Sequence, residues 1–249
     1  MRSPPGIVTR YGFAVAVWLA AVLPAAAQEQ APSDTTSPLL PLTRAIPGAD
    51  PMLGVPVGVL TVLSLADLPP WQRRMMAAEL EADRRGFKAV PEATIADELA
   101  SFLDFLKAPE ALANGGFQSI ARTGHSELGQ WTLLGWIPGL REERGTRLIS
   151  ITRVFQRPDK VIAMLEEFHY RETRGGAVVM VEELINARVG PHPARLVISK
   201  TPSGLSRSTL IWVSPEAKFD LAVYDDVDHP VDPAWDRAWL IRLAETLGT

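Results

Sequence analysis

The sequence predicts an α+β fold: an antiparallel β-sheet covered by helices, with a helical segment before it and an amphipathic helix closing the chain. Three observations carry this. Two helical stretches with capping signals precede residue 113. Short β-rich runs separated by Gly/Pro turns fill most of the rest. The turns between the late runs are too short to hold crossover helices, so neighbouring strands should pair antiparallel.

The chain has 249 residues, of which 47% are hydrophobic and 22% charged. That balance excludes wholesale disorder. The absence of cysteine excludes a disulfide scaffold, a thiolate metal site and a cysteine nucleophile. A formal net charge of −4 argues against broad binding to nucleic acid.

Residues 1–27 read as a cleaved signal peptide. Arg2 and Arg10 form the basic region, residues 11–23 the apolar run, and Ala25-Ala26-Ala27 the small-residue site before Gln28. An uncleaved anchor is the alternative, but the run is shorter than the ~20 residues a span needs. Export to the periplasm is the expected localisation. Residues 28–50, with prolines at 32, 38, 41 and 47, read as an extended tether. Residues 51–249 then form one composite domain, helical over 51–113 and β-rich over 115–249.

Within that domain, residues 55–65 are β-branched and apolar and predict a buried strand or a short hairpin arm. Asp67 can cap a helix begun by Pro69 and Pro70, with Gly86 as its stop. Thr94 can cap a second helix, whose Ile95, Leu99, Phe102, Leu103 and Leu106 share one face. Strands are predicted at 117–123, 130–137, 146–156, 178–189, 195–201, 208–213 and 219–224. In the last of these Phe219, Leu221 and Val223 alternate with polar or smaller side chains, so one face is buried. Residues 159–170 fit a helix capped by Asp159, with the first arm of a hairpin as the alternative. Asp232 and Pro233 open the terminal helix, Trp235, Trp239, Leu240, Leu243 and Leu247 form its stripe, and Gly248 ends it.

Several stretches can carry chemistry. Gly124-His125-Ser126-Glu127-Leu128-Gly129 approaches the G-x-S-x-G elbow of α/β-hydrolases, and Asp220 and His229 follow in the hydrolase order. Leucine at 128 stands where that turn needs glycine, and a hydrolase also needs a parallel sheet. A polar turn between strands is the other reading. Asp225, Asp226, Asp228 and His229 offer clustered oxygens and an imidazole to a cation, or else form a solvated loop preceding a helix. Glu166 and His169 would share a helix face as a metal pair, but no second histidine is near, and a surface or half-buried histidine is the favoured reading. Arg147, Arg153 and Arg157 fall on one face of an unbroken strand, where they line an anion groove or pair with acids such as Glu182 and Glu183. Trp131, Trp136 and Trp212 read as core or as the walls of a ligand groove. His192, between two prolines, reads as structural.

Residues 159–247 resemble the PsbP-like domains related to the extrinsic protein of photosystem II. The resemblance runs through DKVIAMLEEF, VVMVEELINARVGPHPARLVISK, STLIWV, KFDLAVYDD and the closing helix. Gly190-Pro191-His192-Pro193-Ala194 fills the family's turn with one extra residue. The resemblance implies a helix-covered antiparallel sheet and a binding or accessory role, since that family shares no catalytic constellation. The expected function is therefore a non-enzymatic periplasmic protein that binds an envelope protein or a small ligand, without a cofactor. A serine hydrolase using Ser126, Asp220 and His229 is the alternative.

Overall fold

A computed structural model describes residues 60–112, 116–142, 147–172 and 178–248. The predicted signal peptide and tether lie outside these residues. Strands β1 (Leu60–Leu63), β2 (Lys88–Ala89), β3 (Thr132–Pro138), β4 (Ser150–Gln156), β5 (Ile162–Phe168), β6 (Val178–Val181), β7 (Ala187–Val189), β8 (His192–Lys200), β9 (Ser206–Val213) and β10 (Lys218–Val223) combine with helices α1 (Pro70–Arg84), α2 (Glu92–Asp104) and α3 (Arg237–Glu245). Among the described residues no helix is long and apolar enough to cross a membrane.

The main sheet has eight strands in the order β2-β8-β9-β10-β5-β4-β3, with β7 also on β8. Two meanders, β3-β4-β5 and β8-β9-β10, meet where β5 pairs antiparallel with β10. The sheet is nevertheless mixed, because β2 runs parallel to β8. A separate ribbon pairs β1 with β6, also in parallel. The expectation of a purely antiparallel sheet fails at these two N-terminal strands. Both reach their partners across more than a hundred residues, so turn length cannot set their direction.

Register places Leu196, Leu210, Leu221, Leu165 and Arg153 in one row across the first face. The alternate residues Arg195, Ile211, Asp220, Glu166 and Thr152 form a row on the second. The two faces are covered differently. On the first, Trp239, Leu240, Leu243 and Leu247 at the C-terminal end of the chain pack with Trp212, Phe219, Leu210, Leu221 and Phe155. Trp131 stacks at 6.2 Å on Trp239, whose ring meets Trp235 edge-on at 4.9 Å. The guanidinium of Arg157 lies 4.2 Å over Trp235 and pairs with Asp159 and Asp225.

The second face meets α1 and α2 through charge. Arg195 is fully buried and forks onto Asp83 at 2.8 and 3.0 Å, with Glu79 at 3.4 Å. Burial pushes the Asp83 carboxyl up despite that guanidinium. On α2, Glu98 pairs with Arg207 of β9. Lys218 binds Asp220 at 2.7 Å, and burial raises the neighbouring Glu166 carboxyl against the opposing pull of Lys218.

Several local expectations change. Residues 159–170 contain β5, not a helix. Both faces of β5 are buried, so its sequence lacks the polar/apolar alternation of a half-exposed strand. Residues 117–123 form no strand. The 178–189 run is broken by a 3₁₀ turn, Glu182–Leu184. Asp67 does not cap α1: Ser64 caps a preceding 3₁₀ turn, and Pro69 precedes α1 without a side-chain cap. The second helix starts at Glu92, before Thr94. Asp232 caps only a 3₁₀ turn, Pro233–Trp235, and Asp236 caps α3 through the Trp239 N–H.

Trp212 has no exposed surface and stacks on Phe219 at 5.0 Å. Trp212→Ala should cost about 3–5 kcal/mol of stability, read as a fall in the urea midpoint at unchanged slope.

Candidate functional site: a groove braced by a buried carboxylate

Glu167 of β5 lies on the first face, flanked in register by Phe219 and Ile151. A carboxylate in such a place must be satisfied by donors or neutralised. Four donors converge on it. Oε1 accepts from His169 Nε2 at 2.9 Å and from the Ile120 backbone N–H at 2.5 Å. Oε2 accepts from Ser119 Oγ at 2.7 Å and Arg153 Nη2 at 2.9 Å. Burial pushes the carboxyl up, but the hydrogen bonds from His169, Ile120 and Ser119 and the charge of Arg153 outweigh it and hold it below the ordinary glutamate value. Burial in turn lowers the Arg153 guanidinium, opposed by Glu167. His169 is buried against the Phe117 ring, centroids 4.6 Å apart.

This cluster resembles a serine–histidine–acid set only in composition. In such a set the imidazole stands between serine and carboxylate and takes the serine proton. Here the carboxylate stands in the middle and accepts from both. With its pKa depressed it is a poor base, so Ser119 gains no nucleophilicity. What Glu167 does is hold Ser119 and Ile120 in place.

Those two residues, with Arg122, make one wall of a groove of about 600 Å³. The Arg122 backbone N–H bonds Leu247 O at 2.9 Å, which ties this wall to the end of the chain. His192, Ser214 and Glu216 line the groove from the β7–β8 and β9–β10 turns. The second wall is also braced from behind. Ser214 Oγ accepts from the Glu216 and Ala217 N–H groups at 3.3 and 3.2 Å. The Tyr170 hydroxyl donates to the Ser214 carbonyl at 2.9 Å. Gly248 also lines the groove, with the Arg122 side chain against it.

The residues singled out in the sequence are placed otherwise. Ser126 sits between two 3₁₀ turns on the first-face side, buried, its hydroxyl donating to Thr123 O at 2.8 Å. Asp220 projects from the opposite face of the sheet and is held by Lys218. His229 is exposed in the loop after β10, 3.3 Å from Asp226. The sheet thus separates Ser126 from Asp220, and the three do not converge.

In the acidic stretch each carboxylate has its own cation. Asp225 pairs with Arg157, Asp226 with Lys200 and Asp228 with Arg237. Burial pushes Asp226 up, and Lys200 with backbone donors brings it below its ordinary value. Among the described residues no group of three or more His, Asp or Glu side chains can hold a metal. Glu166 and His169, pictured as a helical metal pair, belong to a strand region in which Glu166 faces the second side. His169 instead meets Glu167, two residues away, as strand geometry dictates.

The arginines form no anion groove. Arg147 lies before β4 and pairs with Glu142 and Glu172. Arg153 is buried on Glu167, and Arg157 on Asp159 and Asp225. Glu183, expected opposite them, accepts from Ser64 and Leu65. Trp136 is core, its indole N–H on Ala108 O at 3.1 Å, and Trp212 lies at the centre of the first-face core. No protein-family model, curated protein or solved structure matches the chain.

Because Glu167 titrates below its ordinary value of 4.5, its stabilisation is complete above that pH. It is lost as pH falls through the depressed folded-state value. Glu167→Gln should cost about 3–5 kcal/mol at neutral pH by stranding buried Arg153. It should also flatten the acid limb of stability, measured by urea unfolding across the acid range.

Proposed function

We propose that this protein is an exported, non-enzymatic binding protein of the periplasm, and that the braced groove is where it takes its ligand. The observation that carries this reading is the convergence of two rigidly held walls on a concave space within the usual size of small-molecule sites, about 300–1,000 Å³. Glu167 fixes one wall from within the core, and Tyr170 with Ser214 fixes the other. Preorganisation of this kind lowers the entropic cost of binding. The chemistry around the groove favours recognition over turnover, since the nearest serine–carboxylate–imidazole set is wired in an unproductive order.

The resemblance of residues 159–247 to PsbP-like domains points the same way, although its first segment is a strand and not a helix. The signal-like N-terminus supports export, and the proline-rich stretch after it would give the domain reach toward an envelope partner.

Native mass spectrometry of the protein released from the periplasm tests the proposal. The expected result is a small-molecule adduct that disappears in Arg122→Ala, in a protein whose ester hydrolysis is unchanged by Ser126→Ala. Turnover that depends on Ser126, or retention of the protein in the cytoplasm, would overturn it.

A further inference from the structure

The groove has a polarity that narrows its ligand. Arg122 and Glu216 both line it. Both are exposed. Among the described residues neither the guanidinium of Arg122 nor the carboxylate of Glu216 has a hydrogen-bond or ion-pair partner. They do not neutralise each other either, although they share one cavity. This contrasts with Arg147, Arg153, Arg157 and Arg195, each of which is paired with acid.

The backbone under each charge is fixed. The Arg122 backbone is tied to Leu247, and its side chain lies along Gly248, where a Cβ in place of the glycine hydrogen would come 3.5 Å from the arginine Cδ. Glu216 is carried on the turn locked by Ser214 Oγ and by Tyr170. Between them Ile120 and Pro215 add apolar surface.

We propose that the groove accepts a small zwitterion, its carboxylate on Arg122 and its ammonium on Glu216, and that amino acids and short peptides with free ends are the class it selects. This deepens the binding proposal above and rests on it. A simple anion would satisfy Arg122 but be repelled by Glu216. A simple cation would meet the reverse conflict. Only a ligand bearing both signs leaves no charge desolvated and unpaired, and that penalty is what makes such sites selective. Arginine suits the carboxylate end, because its planar fork matches two oxygens at once.

Titration calorimetry with alanine, dialanine and trialanine tests the inference, with the N-acetylated and C-amidated form of each. At least one free-ended member should bind, and blocking either end should weaken it about tenfold or more. Arg122→Ala should erase the preference over the amide alone, and Glu216→Ala the preference over the acetylated form alone. Both residues are exposed, and among the described residues neither side chain makes a hydrogen bond or ion pair, so the variants should keep the parent melting temperature. Equal binding of free and blocked forms overturns the inference. So does the absence of binding by all three free members. Succinate and diaminobutane complete the set. Tighter binding of either, lost in Arg122→Ala or Glu216→Ala, overturns the zwitterion while leaving a ligand groove in place. Silence from every probe, with no adduct in the native spectrum, removes both.

Discussion

Glu167 draws four donors to one buried point of the sheet. A carboxylate set between Phe219 and Ile151 would be intolerable alone. It is tolerated because an arginine, an imidazole, a hydroxyl and a backbone amide all point at it. In meeting that need the protein recruits a segment with no strand partners of its own. Residues 117–122 belong to no ladder, yet two of their polar groups are anchored to the sheet's interior. The exposed groove and the buried ion pair are therefore two ends of one construction, and a change to the inner end is felt at the outer one.

The sheet's opposite faces solve burial by different means. The first is closed by aromatic stacking and an apolar helix stripe, into which the Glu167 cluster and the Arg157 ion pairs are set. The second is laced by Arg195, Asp83 and Glu79, and by Glu98 with Arg207. Ion pairs of this kind add little net stability over apolar replacements, but losing one partner is costly. They fix where α1 and α2 sit, because guanidinium and carboxylate geometry tolerates little sliding.

Legibility in the sequence follows from the same division. Strands β8, β9 and β10 announced themselves through β-branched runs and tight Gly/Pro turns. The α3 stripe is plain in the spacing of Trp239, Leu240 and Leu243, with Leu247 just beyond the helix. Strand β5 is not, since two-sided burial removes the period of two and leaves Ile162, Leu165 and Phe168 compatible with a helical stripe. A helix there would couple Glu166 to His169. Read as a strand, the segment couples Glu167 to His169, and the buried cluster comes into view. The groove itself had no such signal. Arg122 and Glu216 are ninety-four positions apart, and their nearness depends on strand order. The motifs that did stand out, around Ser126 and Asp225–His229, turned out to be a hydrogen-bonded turn and a set of separately paired charges.

The pairing of β1 with β6 joins Leu60 to Val178, and Arg195 holds α1 from still further along the chain. A chain that emerges amino end first from a ribosome makes its first strand and helix long before their partners exist. Contacts so distant in sequence slow folding, because a large loop must close before they repay its entropy. Until then Met76, Leu68 and Leu63 have no Val181 or Leu184 to cover them. The apolar surface of the early elements is thus covered only once the late strands have been made.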